Sequence, residues 1–466
     1  MLYLATKKIR HKYLLIVYCS LFLVACGYNP QHEALPIELS ENWQAKEDST
    51  LEYTAADNDW WRSFQSPQLN GLIAKALDAS PDLLMAQQRI LQAEAQLGIT
   101  RANALPGLDA SGSVGLNKEL TVSGNKKTSG LGLNTHYEID LWGRIAAEHY
   151  SSQATLASKI YDWHATRLTL TAAVASSWFN WLVLDAQVRN AHWYLQAAKK
   201  QQTLIEASYA KGGATSIELA QQRKQVLSRK ASLKKLIHQR LAASNALAIL
   251  SGEVPQQFHP PAGNLLALQI PRPNPGLPAE ILTRRPDLAR EEARLKAVDA
   301  NLAAARKAIY PSFSLNASVK LASNTLSLTD PTKTLSLGAG VTQSIFDFGK
   351  RQRQIALSEA QQQEMLVSYY KAVLTALAEV EDALSNEQLS RELEVQQRQV
   401  IKENRLIATT TEQLYQAGAE KLTNLLDAQS DQLQAEDQLL VLYQDRLNAS
   451  LNLYKVLGGG WEYENK

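Results

Sequence analysis

The chain has 466 residues, of which 45% are hydrophobic and 20% are charged, and 48 basic against 46 acidic residues leave a formal net charge of +2. Lys and Arg form no cluster interleaved with aromatic residues, so the sequence lacks the electrostatic pattern of a nucleic-acid-binding protein. His and Met are scattered without HExxH, CxxC or another paired ligand spacing, which gives no support for a metal site.

Residues 1–25 are predicted to be a signal peptide. A basic start is followed by an apolar run, Tyr13 to Val24, that is too short to span a membrane as a helix. Leu23-Val24-Ala25-Cys26 then resembles a bacterial lipobox, which implies acyl chains on Cys26. We expect no other cofactor. The alternative is an ordinary secretory signal with an incidental cysteine. Because Cys19 is removed with the signal, the mature chain can form no internal disulfide.

The remainder of the chain is an internal repeat. Residues 26–66 are polar and punctuated by proline, and we expect an extended leader that lies against the body of the protein. Four motifs recur in the same order about 205 residues later. They are Pro81-Asp82-Leu83 and Pro286-Asp287-Leu288, Leu105-Pro106-Gly107 and Tyr310-Pro311-Ser312, Trp142-Gly143-Arg144 and Phe348-Gly349-Lys350, and Tyr209-Ala210-Lys211-Gly212 and Tyr415-Gln416-Ala417-Gly418. The repeats are therefore predicted at 67–260 and 279–458, with a linker at 261–278 and a tail at 459–466.

Each repeat contains two stretches in which polar and apolar residues alternate. These predict strands at about 107–118 and 129–141 and, in the second repeat, at about 312–322 and 334–346. A length of about ten residues suits a tilted strand that crosses a bilayer. The alternative is an antiparallel sheet packed on a helix, which gives the same alternation. If the strands span a membrane, several chains must share one barrel, because four strands cannot close and an open edge cannot face hydrocarbon.

Long segments without Gly or Pro follow each strand pair. They predict helices at 144–211 and 214–251 and again at 351–417 and 419–457. The first helix would be roughly 100 Å long at a rise of about 1.5 Å per residue. Residues spaced seven apart predict a coiled-coil seam on the last helix. They are Leu426, Leu433, Leu440, Leu447 and Tyr454. The shorter helices before each strand pair are predicted to stack end on end with the two returning helices.

These features together resemble the TolC-type outer-membrane factors, specifically their NodT/OprM/CusC-like branch of efflux lipoproteins. The lipobox, the duplication and the segment Leu425-Leu426-Asp427-Ala428-Gln429 after the second glycine turn contribute most to the resemblance. It implies a mainly α fold with transmembrane β, in which a long α-helical coiled-coil barrel is joined to four strands per chain that complete a 12-stranded β-barrel in a homotrimer. It also implies a lipid-anchored protein of the Gram-negative outer membrane that extends into the periplasm. There it would act as a passive duct for small molecules, driven by an inner-membrane pump through a periplasmic adaptor.

The resemblance assigns two sets of candidate residues. Adaptor docking is expected at the tip turns, whose glycines are predicted to take positive φ; the candidates are Tyr209, Gly212, Gly213, Tyr415 and Gly418. The pore-mouth candidates are Glu420, Thr423, Asp427, Ser430 and Asp431. The three carboxylates are predicted to share one helical face and to form a cation-selective ring in a trimer. OprM-like relatives carry a hydrophobic residue and an Arg where Thr423 and Ser430 stand, which argues against a tightly sealed gate. The alternative is a solvated outer face of a coiled coil.

Two other classes of function remain open from the sequence. One is a periplasmic coiled-coil lipoprotein with a structural or tethering role, whose strands form a soluble sheet. The other is an enzyme, for which the best candidates, His136, Glu138 and Asp140, alternate onto one strand face without a nucleophile or pocket. The sequence does not identify the exported molecule.

Overall fold

The computed structural model describes residues 40–44, 54, 57–118, 125–326, 328 and 330–461. The predicted signal peptide, Cys26 and most of the leader lie outside the described residues. The helices are α1 (Pro67–Ala79), α2 (Pro81–Ala102), α3 (Arg144–Ala210), α4 (Ser216–Leu250), α5 (Ile281–Arg284), α6 (Pro286–Lys307), α7 (Lys350–Gln416) and α8 (Leu422–Val456). The strands are β1 (Gly107–Lys118), β2 (Asn125–Ile139), β3 (Ser312–Ser323) and β4 (Thr332–Thr342). In this part of the chain, no helix combines the length and apolar character needed to cross a membrane.

The chain divides into two compact units, and each unit takes segments from both repeats. The first contains Ile90–Ser158 and Glu291–Tyr369, which include the four strands. The second contains the described parts of Ile37–Arg89, Lys159–Arg290 and Tyr370–Lys466. The sequence repeats are therefore not separate domains, because corresponding segments of both repeats fold together in each unit.

The first unit holds an antiparallel sheet in the order β1-β2-β3-β4. Strand β2 begins at Asn125 rather than at 129, because its first residues pair with the end of β1. Strand β4 ends at Thr342, so the predicted extension to 346 is wrong. Its last partner, Ser312, directly follows Pro311, which has no N–H with which to extend the ladder.

An aspartate lies just before each of the two long outgoing helices. Asp140 Oδ2 accepts a hydrogen bond from the backbone N–H of Ala146 at 2.7 Å, at the start of α3. Asp347 Oδ1 accepts one from the N–H of Gly349 at 3.0 Å, at the start of α7. Each carboxylate satisfies a backbone donor and places negative charge at the positive end of a helix dipole.

The main core of the second unit is aromatic and includes the last part of the leader. Residues Trp60–Phe64 form a short 3-10 turn rather than an extended segment, and Trp60 and Phe64 are buried. The ring of Trp60 stacks on Tyr454 of α8, with 5.3 Å between centroids. Trp178 and Phe179 of α3 are fully buried in the same cluster. This end of the leader therefore lies against the body, as predicted, because its aromatic side chains fill the core.

The predicted linker at 261–278 also packs on this core. Leu265 is buried in it, and the indole N–H of Trp178 donates a hydrogen bond to the carbonyl oxygen of Pro261 at 3.1 Å. The hydroxyl of Tyr443 donates to the carbonyl oxygen of Leu268 at 2.8 Å. The connection between the repeats is thus part of the second unit rather than a free tether.

Two glycines lie where the end of a returning helix meets the junction between two shorter helices. Gly252 follows α4, and a Cβ on it would overlap the carbonyl oxygen of Ala79, just before α2. Gly458 follows α8, and a Cβ on it would overlap the carbonyl oxygen of Arg284, just before α6. Both glycines have positive φ. The returning helices therefore end beside the helices that precede the strands, as the predicted end-on stacking requires.

We predict that Gly252→Ala lowers the free energy of unfolding by on the order of 2 kcal/mol, because a Cβ is disfavoured at positive φ and here also meets backbone. The control is Gly71→Ala in α1, where a Cβ meets open space and should add about 0.5–1 kcal/mol. Thermal unfolding of both variants in detergent measures the difference. Equal melting temperatures for the two variants would contradict this account of the junction.

Candidate functional site

The register of the sheet places the predicted apolar positions on a single face. Val319 of β3 pairs with Leu133 of β2 on one side and with Leu335 of β4 on the other. This face is open in the single chain: Leu108, Val114 and Leu337 are 72%, 75% and 78% exposed. A sheet packed on its own helices would bury these side chains. The alternative of an antiparallel sheet packed on a helix is therefore wrong. The face needs a cover of hydrocarbon or of another protein.

The opposite face of the sheet is polar. His136 Nδ1 lies 2.7 Å from Asn316 Oδ1 on the neighbouring strand, and Asn134 Nδ2 donates to Ser111 Oγ at 3.1 Å. Small hydroxyl and amide groups thus hydrogen-bond across the strands and leave the remainder of this face to water.

The three candidates for an enzyme site have separate structural roles. His136 pairs with Asn316, and Glu138 forms a 2.8 Å salt bridge with Arg144. Asp140 lies beyond the end of β2 and caps α3. The prediction that all three alternate along one strand is therefore wrong for Asp140, and the groups do not converge on a common reacting centre.

The two tip turns have the same hydrogen-bond pattern. Gly213 N donates to Ser208 O at 2.9 Å and Gly212 N to Tyr209 O at 3.0 Å, which together form a Schellman motif. The second turn repeats it, with bonds from Ala419 N to Leu414 O and from Gly418 N to Tyr415 O. Gly212 and Gly418 both have φ of 76°, which confirms the predicted positive values. Both turns stop their helices with the same tight geometry.

A small apolar cluster joins the two turns. Ile205, Leu219 and Leu422 are buried together, and Tyr415 and Leu426 pack against them. Tyr209, in contrast, is 45% exposed. Burial raises the pKa of Tyr415, and the nearby carboxylate of Glu218 adds to the rise. Of the two tip tyrosines, Tyr415 thus contributes to the packing of the turns, whereas Tyr209 is available for contact with a partner.

The acidic stripe begins later than the sequence predicts. Helix α8 starts at Leu422, so Glu420 lies in the preceding turn and does not share a helical face with the two aspartates. Its carboxylate accepts hydrogen bonds from Lys421 N at 3.1 Å and from Asn424 Nδ2 at 2.5 Å. Four residues of this helix form the exposed stripe beside the half-buried Thr423. They are Asn424, Asp427, Ser430 and Asp431.

The buried seam of α8 also differs from the predicted heptads near the tip. Leu440, Leu447 and Tyr454 are buried, as predicted. At the tip end, Leu425 and Ala428 are buried instead, while Leu426 and Leu433 are only half-buried. A helix of about 3.6 residues per turn drifts out of a strict seven-residue repeat, which accounts for the change of register.

A polar cluster between the long helices was not predicted. Glu436 accepts hydrogen bonds from Tyr194 Oη at 3.0 Å and from Arg405 Nη2 at 3.2 Å. The adjacent Asp437 is contacted by Asn190 Nδ2 at 3.5 Å. Burial, and secondarily the charge of Glu436, raises the pKa of Asp437 to about 6. The only sign of this cluster in the sequence is the adjacent pair Glu436-Asp437, because the residues that contact the pair come from other helices.

Both repeats of the chain match a known protein family. The profile of the family described as Outer membrane efflux protein matches residues 72–253 and 277–459, one segment in each repeat. The chain belongs to this family. It is 34% identical to the pyoverdine export outer membrane protein OpmQ of Pseudomonas putida, over 97% of this chain and 98% of OpmQ. It is 28% identical to the probable outer membrane lipoprotein SilC of Salmonella typhimurium, over 93% of this chain and 95% of SilC.

Membership of the Outer membrane efflux protein family confirms the predicted TolC-like fold, the outer-membrane location and the function in efflux. The fold is similar to that of the CmeC outer membrane channel of Campylobacter jejuni, with a TM-score of 0.88 and 24% identity over 95% of this chain and 96% of CmeC. Members of the family and the solved neighbours are channels rather than enzymes. Because the function is in efflux, the alternative of a periplasmic coiled-coil lipoprotein with a tethering role is wrong.

Asp437 yields a prediction for the pH dependence of stability. Because its pKa in the folded state lies above the ordinary value of about 4, the folded state binds the proton more tightly than the unfolded chain does. The resulting stabilisation is present below about pH 4 and is lost as the pH rises to about 6. We expect Asp437→Asn to stabilise the protein at pH 7.5 by on the order of 1 kcal/mol, after a discount for solvent screening, and to have little effect at pH 4.5.

The neighbouring carboxylate provides the control. Glu436→Gln removes the charge that Tyr194 and Arg405 contact, so it should destabilise the protein at pH 7.5. Thermal unfolding at the two pH values measures both effects. A loss of stability at pH 7.5 in Asp437→Asn would show that this carboxylate is stabilised in its charged form.

Proposed function

We propose that three copies of the chain form one closed β-barrel of 12 strands in the outer membrane, continued by a tube of their long helices in the periplasm. In the part of the chain that the structure describes, β1 and β4 each have one open edge, and these edges support the assembly because hydrocarbon offers them no hydrogen-bond partners. The exposed apolar face of the same strands supports lipid as its cover. The polar face then lines a water-filled lumen.

The duct is passive, and the energy for export comes from an inner-membrane pump that reaches it through a periplasmic adaptor. The paired tip turns are the proposed docking site for the adaptor. Their Schellman motifs hold Gly212 and Gly418 in the same conformation, and a Cβ on either glycine would meet open space. The turns thus present an accessible surface of defined shape, flanked by the exposed ring of Tyr209.

The cargo is proposed to be a small molecule. The similarity to OpmQ, which is named for the export of pyoverdine, favours an organic molecule over a bare metal ion. The polar face of the sheet carries mainly hydroxyl groups, amide groups and glycine residues. Such a surface suits a wide aqueous path rather than a tight binding site.

Cys26 is proposed to carry the acyl chains that anchor the mature protein. The lipobox-like sequence before it supports this assignment, and so does the description of SilC as an outer membrane lipoprotein. Mass spectrometry of the mature N-terminal peptide measures the acyl chains directly. An unmodified Cys26 contradicts the proposal.

The pore mouth is proposed to be lined by the exposed stripe of α8, with Asp427 and Asp431 as its charged groups. Both carboxylates are exposed, four residues apart, on the face of the helix opposite the buried Leu425. Three copies would place six carboxylates around a narrow entrance and concentrate cations there. The polar Thr423 and Ser430 leave this entrance without a continuous hydrophobic seal.

Single-channel recording in a planar bilayer tests both the duct and its mouth. We expect the wild-type protein to form heat-modifiable trimers and cation-selective channels, and Asp427→Ala to reduce the cation preference in asymmetric salt severalfold. Ser430→Ala, on the same stripe, is the control and should leave selectivity unchanged. A wild-type protein that does not conduct contradicts the duct. A conducting Asp427→Ala variant with unchanged selectivity assigns the stripe to a solvated outer face instead.

A further inference from the structure

Two lysines extend the apolar face of the sheet at its loop end. Lys127 of β2 pairs with Leu116, and Lys333 of β4 pairs with Leu321, so both lysines share the register of the lipid-facing residues. They stand close to the first residues of their strands, Asn125 and Thr332 respectively. Both side chains are exposed. The pattern on this face thus changes from leucine to lysine where the strands approach the loops.

Aromatic residues lie just beyond the strands at the other end of the sheet. The rings of Trp142 and Tyr310 lie 5.0 Å apart and those of Phe346 and Phe348 lie 4.5 Å apart. Phe346 and Phe348 are 76% and 91% exposed. By contrast, the sequence contains no aromatic residue from 107 to 135 or from 314 to 345. Aromatic belts ordinarily mark both boundaries of a membrane protein, so lysines take their place at one boundary of this sheet.

We propose that Lys127 and Lys333 bind the phosphate groups of lipopolysaccharide in the outer leaflet of the outer membrane. This inference rests on the proposed barrel, in which the strand loops face outward. An ammonium group forms charge-assisted hydrogen bonds with phosphate, and anionic headgroups attract lysines near a membrane surface. Each lysine is the cross-strand partner of a leucine, Leu116 or Leu321, on the same face. A long aliphatic stem at such a position lets the charge reach the headgroup while the stem stays in the apolar layer.

The difference between the two ends also favours this lipid over a general membrane contact. The aromatic end suits the boundary of a phospholipid leaflet, where amphipathic rings sit at headgroup level. The lysine end matches a leaflet whose headgroup region carries phosphate monoesters at high density. A barrel with this polarity has a preferred orientation in an asymmetric membrane, because only one of its ends binds the anionic lipid.

Lys320 provides a matched control on the other face. It precedes Leu321 in β3 and pairs with Gly132 and Thr334 on the polar face. The side chain of Lys320 lies over Gly132, because a Cβ built on that glycine would be 3.5 Å from Lys320 Cγ. Reversing the charge of Lys320 therefore changes the net charge of the sheet near the same end without changing the face proposed to contact lipid.

The experiment measures binding of purified lipid A to the trimer in mild detergent, by native mass spectrometry and by titration. We expect K127E/K333E to bind lipid A on the order of tenfold more weakly than the wild-type trimer, with K320E unchanged. Lipid A from which the phosphates have been removed should bind the wild-type trimer as weakly as intact lipid A binds the double variant. Trimer content and conductance are recorded for every variant, so a failure of the barrel is distinguished from a failure of this site.

Equal binding of lipid A by K127E/K333E and by the wild-type trimer would overturn the proposal. So would equal binding of intact and dephosphorylated lipid A by the wild-type trimer. Displacement of lipid A by millimolar inorganic phosphate would also overturn it, because it would indicate a site for free phosphate. If the charge-reversed variant does not assemble, K127Q/K333Q replaces it, with a severalfold loss expected. Salt dependence of lipid A binding by the wild-type trimer provides an independent measure, and binding that is insensitive to salt also contradicts the proposal.

Discussion

Backbone hydrogen bonding at the edges of the sheet is the constraint on which the other features depend. Among the described residues, strands β1 and β4 each pair along one edge only, and four strands are too few to curl into a closed barrel. The exposed apolar face adds a second demand, because leucines such as Leu337 require cover. Closure among copies of the chain satisfies the edges, and a bilayer satisfies the apolar face.

The duplication explains how one chain meets this demand with regular parts. Each repeat supplies two strands, a long outgoing helix that starts at a capping aspartate, a Schellman turn and a returning helix. Each returning helix is followed by a glycine, Gly252 or Gly458, at which the chain closely approaches the junction between two shorter helices. The second unit then buries Trp60, Trp178 and Tyr454 in a common core, to which the connection between the repeats also contributes.

Features set by local pattern could be predicted from the sequence, and features set by distant partners could not. Alternation was enough to assign both faces of the sheet, because the side-chain period of a strand is two. Glycine after a long breaker-free run was enough to locate Gly212 and Gly418 in left-handed turns. The end of β4 depended instead on Pro311, which directly precedes the neighbouring strand β3, and local alternation does not report such a residue.

The candidate site shows the same division. The exposed aspartates of α8 follow from helical spacing, but Glu420 was assigned to their face because the start of the helix was placed three residues too early. The cluster at Glu436 and Asp437 depends on Asn190, Tyr194 and Arg405, which the fold brings together from two other helices. No local pattern identifies such a contact.

The most direct test of a lipid-covered sheet is the accessibility of alternate residues on one strand. Spin labels placed singly at Leu335, Ser336, Leu337 and Gly338 of β4 in the reconstituted protein would be exposed in turn to oxygen, which partitions into lipid, and to a water-soluble nickel chelate. If lipid covers the apolar face, labels at 335 and 337 favour oxygen while labels at 336 and 338 favour the chelate, in a period of two. Equal access of the chelate to all four positions would contradict a lipid-covered sheet, because the apolar face would then be in water.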